Sequence, residues 1–369
     1  MPKFAVVFGT RPEAIKMAPV IRAMQDKAGW DVRVISTGQH REMLDQVLDV
    51  FKIKADYDLN IMSHGQTLTD ITTKVLHGMS SIFAEWRPDL VLVHGDTTTA
   101  FAAALAAFYE RIPVAHVEAG LRTSDLYNPY PEEANRRLTD VLAELHFAPT
   151  EQAAANLRRE VRGAAEIYIT GNTVIDALLS VVEEGYQFTT PTLSQLDFSR
   201  PVIVTTVHRR ENWGQPLVGI CGALKKVVGE HDCQIVVAMH RNPALQKVFY
   251  EHLQNYEDIY LIDAPDYREF ANLMQKAKLL LTDSGGLQEE APALNVPVLV
   301  LREQTERPEG VAAGTCRVVG TSPTKIYESV SELLTNAQLY NRMAQAPNPY
   351  GDGRAAHRIC SVLEQKYTV

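Results

Sequence analysis

The chain has 369 residues, 46% of them hydrophobic, which suits two ordinary α/β domains at roughly 150 residues per domain rather than one large core. Its formal net charge of −9 and the lack of a lysine and arginine block exclude a typical nucleic-acid-binding protein. The four cysteines form no C-x-x-C pair, and no apolar run approaches a signal-peptide core or a membrane span, so we expect a cytoplasmic protein without a membrane partner.

Short apolar runs alternate with helix-length segments along the whole chain. Five runs lie in the first half: Phe4 to Phe8, Val32 to Ile35, Leu90 to Val93, Pro113 to Val117 and Leu145 to Ala148. Five more lie in the second half: Val202 to Thr206, Ile235 to Ala238, Ile259 to Ile262, Leu279 to Thr282 and Val296 to Leu301. Runs without polar alternation are typical of parallel sheets covered on both faces. The sequence therefore predicts an α/β protein with two Rossmann-like, doubly wound parallel sheets.

The boundary between the two predicted domains lies near Gly171-Asn172, where a strand-like segment, Ile167 to Thr170, ends. This boundary gives an N-terminal domain of residues 1–171 and a C-terminal domain of residues 172–352. The segment Gly185 to Arg200 loses its periodicity and gathers Thr, Ser and Pro. We interpret that segment as a surface stretch that opens the second domain.

Acidic residues follow two neighbouring runs of the first half, at the strand ends where parallel sheets carry their functional loops. Asp96 follows Leu90 to Val93, and Glu118 follows Pro113 to Val117. A later helix begins with two acids, Glu132 among them, and helix capping accounts for one of the two. Acids at buried sheet ends are costly unless they have a task or a partner, so these carboxylates are candidate functional groups.

A candidate anion-binding turn follows the run Leu279 to Thr282. There Ser284-Gly285-Gly286 lets backbone N–H groups approach a phosphate, and the start of the next helix favours negative charge. Glu290, about one turn into that helix, could accept hydrogen bonds from the vicinal diol of a ribose. Cationic loops containing Arg11 and His208-Arg209-Arg210 could clamp a pyrophosphate. The alternative is an ordinary helix start in which Ser284 only caps.

Carboxylates and a histidine beside a diphosphate indicate proton transfer on a sugar attached to that diphosphate. Metal ligation is a competing idea, but the sequence contains no His-x-x-x-His or Asp-x-Asp element, so we expect no obligatory metal. The first strand leads into Gly-Thr-Arg-Pro-Glu, which is not a dinucleotide fingerprint. Gly351 to Ala356 matches the relaxed fingerprint but follows no strand, so we expect no cofactor.

Seven strings in order carry a resemblance to a known family: FGTRPEAIK, HGDTTT, HVEAGLRT, YPEEANR, HRREN, TDSGGLQEEAP and ERPE. Together the strings closely resemble the non-hydrolysing UDP-N-acetylglucosamine 2-epimerases of bacteria, and the resemblance runs end to end to NPYGDG. It implies a GT-B fold with an interdomain cleft, and a last helix (353–369) that joins the N-terminal domain. It further implies a homodimer that interconverts UDP-GlcNAc and UDP-ManNAc for surface polysaccharide synthesis, by eliminating UDP to give 2-acetamidoglucal and adding it back.

The resemblance also implies roles for individual residues. The implied catalytic residues are Asp96, Glu118, Glu132 and His208, and which of the carboxylates is the base and which is the acid is left open. The implied UDP-sugar-binding residues are Arg11, Lys16, Arg136, Phe270, Ser284, Gly285, Gly286, Glu290 and Arg307.

Some members of the family also bind a second UDP-GlcNAc, which activates them. The residues here that match this second site are Gln39, His40, Gln66, Arg209 and His240. However, Gly65 stands where activator-dependent members can carry arginine.

Three alternatives remain open at the level of sequence. Related enzymes act on more elaborate UDP-acetamido sugars. A GT-B UDP-sugar glycosyltransferase would share the fold and the nucleotide site but would need an acceptor. A non-enzymatic nucleotide-sugar sensor is the third alternative, and three acids at sheet ends argue against it.

Overall fold

The computed structural model describes residues 1–39, 41–123, 125–161 and 165–367. The chain divides into two compact units, Met1–Ser180 with Tyr350–Val369, and Val181–Pro349. Each unit contains one parallel sheet, so the predicted α/β class with two doubly wound sheets is confirmed. The sequence-based domain limits, 1–171 and 172–352, stay a prediction.

The strands of both sheets are parallel throughout. The first sheet comprises β1 (Lys3–Phe8), β2 (Asp31–Ser36), β3 (Tyr57–Asp58), β4 (Leu90–His94), β5 (Val114–Val117), β6 (Leu145–Ala148) and β7 (Glu166–Ile169). The second sheet comprises β8 (Val202–Thr206), β9 (Gln234–Met239), β10 (Ile259–Asp263), β11 (Leu279–Thr282), β12 (Val298–Val300) and β13 (Cys316–Val318). Most of their side chains are buried, as expected for strands with helices on both faces.

Helices connect the strands and cover the sheets. They are α1 (Arg11–Gln25), α2 (Arg41–Phe51), α3 (Leu68–Glu85), α4 (Thr98–Tyr109), α5 (Glu132–Leu142), α6 (Glu151–Glu160), α7 (Thr173–Val181), α8 (Pro191–Ser194), α9 (Gln215–Glu230), α10 (Pro243–Leu253), α11 (Tyr267–Lys276), α12 (Gly285–Glu290), α13 (Pro308–Ala313), α14 (Pro323–Thr335), α15 (Ala337–Ala344) and α16 (Ala355–Tyr367). Among the described residues, no helix combines the length and the apolar character needed to span a lipid bilayer.

The strand order puts a topological switch point in each sheet. The first sheet runs β3-β2-β1-β4-β5-β6-β7, and the second runs β10-β9-β8-β11-β12-β13. The order reverses between β1 and β4 in the first sheet and between β8 and β11 in the second. Loops at the carboxyl ends of strands beside such a point form the usual ligand site of an open α/β sheet. Arg11 and Asp96 follow these strands in the first unit, and His208 and Ser284 follow them in the second.

All ten apolar runs contain strands, but two strands were not predicted. β3 has only two residues and β13 only three, and both lie at an edge of their sheet. Edge strands of this length offer too few apolar residues to form a recognisable run.

The interpretation of Gly185 to Arg200 as a surface segment is wrong for its middle. That part forms α8, and Leu193 and Leu196 are buried. Glu269 of α11 accepts hydrogen bonds from the backbone N–H groups of Thr189 and Thr190, at 2.7 and 2.9 Å, which fixes the start of this short helix. These contacts bridge about 80 residues of sequence and could not be found from local composition.

The last helix, α16, belongs to the first unit. The Asp176 carboxylate accepts hydrogen bonds from the Ala355 and Ala356 N–H groups at 3.1 and 2.9 Å, which satisfies two donors at the helix start. Further along, the rings of Tyr367 and Phe4 lie 5.4 Å apart. These contacts attach the C-terminal end of the chain to the first sheet.

Candidate active site

A buried carboxylate, Glu13, organises the loop after β1. Its Oε2 accepts hydrogen bonds from the Gly9 and Thr10 N–H groups at 3.1 and 2.8 Å, and its Oε1 accepts one from the Thr97 hydroxyl at 2.7 Å. Burial raises the pKa of Glu13, although the hydrogen bonds from Thr97 and Thr10 act in the opposite direction. One side chain therefore joins the loops that carry Arg11 and Asp96. Sequence reasoning assigned no role to Glu13.

Close packing around Gly9, in the same loop, leaves no room for a side chain at this position. A Cβ added there would lie 2.3 Å from Thr37 Oγ1 and 2.5 Å from Thr99 Oγ1, both on buried threonines. We expect Gly9→Ala to lower the free energy of unfolding by about 1–3 kcal/mol through overpacking. Urea denaturation would measure this change. Gly222→Ala is the matched control, since a Cβ within α9 meets no atom within 4 Å and should be neutral or stabilising.

Glu118, directly after β5, is the most closely surrounded of the candidate carboxylates. Lys16 Nζ lies 2.6 and 2.8 Å from its two oxygens, His94 Nε2 lies 3.0 Å away, and Asn172 Nδ2 donates at 3.1 Å. Burial alone would raise the pKa of Glu118, but attraction to Lys16 and His94 outweighs it and holds the pKa well below its usual range. Glu118 is thus an ionised carboxylate at neutral pH.

The backbone at Glu118 is strained as well. Its φ of +63° lies in the left-handed region that residues other than glycine rarely adopt. Such strain persists only where the surroundings hold it, and it concentrates at functional sites. The strain and the ion pairs together mark Glu118 as a functional position.

Asp96 lies on the loop after β4, next to β5 in the sheet. Arg136 Nη2 of α5 donates a hydrogen bond to its Oδ2, while Arg136 Nη1 lies 3.2 Å from the buried Glu133. Asn135 Nδ2 donates to the Asp96 carbonyl at 3.0 Å. The Asp96 side chain keeps 31% of its surface exposed, so this carboxylate is paired yet reachable.

Glu132 is the first residue of α5 and is half-buried. Its neighbour Glu133 is fully buried and pairs with Arg136 and Arg137. Glu133 therefore has a structural role through these ion pairs, whereas no side chain caps the start of α5 within the described residues. The Glu132 side chain forms no hydrogen bond or ion pair with another described residue, which leaves its carboxylate available.

In the second unit, Asp283 orients His208. Asp283 is completely buried and accepts hydrogen bonds from the N–H groups of His208 and Arg209 and from Asn212 Nδ2. His208 Nδ1 lies 3.0 Å from Asp283 Oδ1. Burial opposes ionisation of Asp283, but these hydrogen bonds and the attraction to His208 lower its pKa. The ionised carboxylate fixes the imidazole, whose side chain is 39% exposed.

The predicted anion-binding turn lies one residue further on. Ser284 is the N-cap of the six-residue helix α12, and its side chain makes no capping hydrogen bond within the described chain. A Cβ added at Gly285 would lie 3.8 Å from Arg307 Cζ and 3.9 Å from Arg209 Nη2. Two guanidinium groups thus lie beside the start of α12. Arg307 donates a hydrogen bond to the buried Glu289, and Arg209 lies 3.4 Å from Glu306.

Glu290 and Phe270 lie in the same unit. Tyr267 Oη, at the start of α11, donates to Glu290 Oε2 at 3.1 Å. Burial, together with the Glu290 carboxylate, raises the pKa of Tyr267 well above its usual value, so the phenol keeps its proton and acts as donor. Phe270, on the next turn of α11, is half-buried.

The described residues that could bind a second UDP-GlcNAc lie partly in the first unit and partly in the second. Gln39 Oε1 accepts a hydrogen bond from Thr99 at 2.9 Å, and Gln66 Oε1 accepts one from the Ser63 N–H at 3.2 Å. In the second unit the ring of His240 stacks at 6.2 Å on His208, which is a candidate catalytic residue. His40 lies outside the described residues.

Both the sequence and the structure of this chain are similar to those of known proteins. The family profile described as UDP-N-acetylglucosamine 2-epimerase matches residues 22–364. The UDP-N-acetylglucosamine 2-epimerase of Escherichia coli K12 is 52% identical over 376 residues, which cover 98% of this chain and 98% of that protein.

Solved structures agree with the profile. UDP-GlcNAc 2-epimerase from Neisseria meningitidis bound to UDP-GlcNAc has a TM-score of 0.87 at 47% identity, with 98% of this chain and 100% of that chain covered. The Methanocaldococcus jannaschii UDP-GlcNAc 2-epimerase in complex with UDP-GlcNAc and UDP has a TM-score of 0.79 at 35% identity, with 98% and 99% covered.

Proposed function

The chain belongs to the UDP-N-acetylglucosamine 2-epimerase family of isomerases, and we propose that it reversibly converts UDP-GlcNAc to UDP-ManNAc. The observation that carries the proposal is the pair of carboxylates, Asp96 and Glu118, at the ends of neighbouring strands. Glu118 is ionised and held by Lys16, and Asp96 is partly exposed beside Arg136. Inversion of a carbon needs a proton removed on one face and returned on the other, and such a pair supplies both groups.

The chemistry of the substrate explains why charged groups are needed at the phosphate too. The C2 hydrogen of a hexosamine is not adjacent to a carbonyl, so a base alone would not remove it at a useful rate. If the C1–O bond to UDP breaks, its electron pair leaves with UDP and C1 becomes electron-poor. A carboxylate then takes the C2 proton, and the C–H electron pair forms the C1–C2 double bond of 2-acetamidoglucal. Protonation of C2 from the opposite face, with return of the UDP oxygen to C1, gives UDP-ManNAc.

Several residues of the second unit are candidates for binding UDP, the leaving group. We propose that Arg307 and the backbone of Ser284-Gly285-Gly286 bind the pyrophosphate, with Arg11 and Lys16 contributing from the first unit. Glu290 would accept the ribose hydroxyls, and Phe270 would lie against uracil. His208, oriented by Asp283, would donate a hydrogen bond to the departing phosphate oxygen.

A time course by NMR tests the proposal. Purified protein and UDP-GlcNAc, with nothing added, should give UDP-ManNAc at an equilibrium ratio that is also reached from UDP-ManNAc. A glycosyltransferase would leave UDP-GlcNAc unchanged without an acceptor. An epimerase of a more elaborate UDP-acetamido sugar would turn over that sugar faster, and a pure nucleotide-sugar sensor would bind UDP-GlcNAc without turnover.

The ion pair between Lys16 and Glu118 predicts a pH effect. Lys16→Met removes the main attraction that lowers the pKa of Glu118, so burial then dominates and the pKa rises. The ionised carboxylate would form only at higher pH, and the acid limb of the profile of kcat/KM against pH should move to higher pH. Lys247→Met, on the exposed face of α10, is the matched control and should leave the limb in place. An acid limb unmoved by Lys16→Met would contradict an ionised Glu118 in catalysis.

Activation by a second UDP-GlcNAc, homodimerisation, a cytoplasmic location and a role in surface polysaccharide synthesis remain proposals. The second site would use Gln39, His40, Gln66, Arg209 and His240. Stimulation of UDP-ManNAc turnover by added UDP-GlcNAc, lost in Gln66→Ala, would support activation. Because UDP-ManNAc is an activated glycosyl donor, we infer that a glycosyl transfer consumes it.

A further inference from the structure

A histidine beneath the candidate site has both ring nitrogens against oxygen atoms. His116, in the middle of β5, is completely buried. Its Nδ1 lies 2.6 Å from Asp140 Oδ1, and its Nε2 lies 2.7 Å from the Gly95 carbonyl oxygen. Sequence reasoning treated His116 only as a strand residue.

The two oxygens fix the orientation of the ring. A carbonyl oxygen only accepts hydrogen bonds, so Nε2 donates to the Gly95 carbonyl. Nδ1 lies against the Asp140 carboxylate, whose second oxygen lies 2.7 Å from Arg122 Nη2. Burial opposes ionisation of Asp140, but His116 and Arg122 outweigh it and lower the pKa of Asp140. The ring is therefore held at both nitrogens and cannot turn away from Gly95.

Asp140 connects the His116 ring to further charged groups. Asp140 on α5 lies between His116 and Arg122, and Arg122 also reaches Glu160 at 2.7 Å. On β6, His146 Nε2 lies 2.8 Å from the Asp140 carbonyl oxygen, and burial lowers the pKa of His146. These contacts hold Asp140, and through it the Nδ1 side of the His116 ring.

His116 lies where it can position the loop that carries Asp96. Gly95 N donates to the Val117 carbonyl at 2.9 Å, and Asn135 Nδ2 donates to the Asp96 carbonyl at 3.0 Å. The Gly95 carbonyl, between these two contacts, accepts the hydrogen bond from His116 Nε2. Three backbone groups of Gly95 and Asp96 are thus fixed, with Gly95 at a φ of +65°.

We propose that His116 is a positioning residue that holds the Gly95–Asp96 peptide, and thereby the Asp96 carboxylate, in the geometry needed for proton transfer at C2. This inference rests on the proposed function for the role of Asp96.

A pair of neutral substitutions separates positioning from simple structural support. The amide nitrogen of His116→Gln can replace Nε2 and keep the bond to the Gly95 carbonyl, whereas that of His116→Asn can replace only Nδ1. We expect kcat to be at least about 10-fold lower in the Asn variant than in the Gln variant, because small misplacements of a reacting group are costly. UDP affinity should be the same in both. Equal kcat values in the two folded variants would overturn the positioning role.

The activity of the native protein separates this inference from the proposed function. If the native protein has no epimerase activity, the proposed function fails. If the native protein is active and the two folded variants have equal kcat, only the positioning role of His116 fails.

Discussion

Glu118→Gln, Asp96→Asn and Glu132→Gln should each lower kcat by at least ~10²-fold, the usual cost of losing a positioned acid or base. Each change removes a carboxylate that could take or return the C2 proton while keeping the size of the side chain. UDP affinity should change little, because none of the three carboxylates is proposed to contact the nucleotide. Rates of UDP-GlcNAc turnover and calorimetric titration with UDP would measure the two effects.

The three variants differ in their structural surroundings, so a matched control is needed. Glu118→Gln leaves Lys16 without its ion-pair partner, whereas Glu132→Gln disturbs no pair with a described residue. Glu251→Gln, on exposed α10, removes an acid of the same type far from any candidate strand end and should keep full activity. A Glu132 variant with native kcat would remove Glu132 from the proposed catalytic set.

Arg307→Ala and Arg11→Ala should weaken UDP binding by about 10- to 150-fold each, which corresponds to about 1.5–3 kcal/mol for a charge-assisted contact. Arg307 lies beside Gly285, and Arg11 is exposed at the first residue of α1. Calorimetric titration with UDP measures this loss directly.

Arg307 has a second, structural task. Its guanidinium pairs with the buried Glu289, so Arg307→Ala leaves a buried carboxylate without this partner and should also lower stability. Arg307→Ala combined with Glu289→Gln restores neutrality and isolates the effect on UDP. Arg317→Ala, which removes a surface pair with Glu332 in the same unit, is the control. Native UDP affinity in the folded Arg307 and Arg11 variants would contradict the phosphate assignment.

Strand positions could be predicted because buried parallel strands are continuous apolar runs. The same pattern placed Asp96 and Glu118 at strand ends, and the structure confirms that β4 and β5 are neighbours. Strands β3 and β13 could not be found, since two or three residues at a sheet edge give no pattern. Glu269 and the buried Leu193 were missed because their contacts join segments far apart in sequence.

The partners of the candidate acids were beyond the reach of sequence. Lys16 and Glu118 are 102 residues apart, and Asn172 lies 54 residues from Glu118. Only the strand order brings them together, so the lowered pKa of Glu118 could not be inferred from local residues. Glu13 and Asp283 lay within recognised strings, but nothing in those strings shows that each carboxylate accepts several hydrogen bonds from loops.

Incubation of UDP-GlcNAc with the protein in D₂O tests the proposed elimination most directly. If a carboxylate removes the C2 proton and an acid exchanged with solvent returns one, UDP-ManNAc should carry deuterium at C2, and long incubations should release 2-acetamidoglucal and UDP. Mass spectrometry and proton NMR would detect both. UDP-ManNAc formed with its original hydrogen at C2 would contradict the elimination and the roles proposed for Asp96, Glu118 and Glu132.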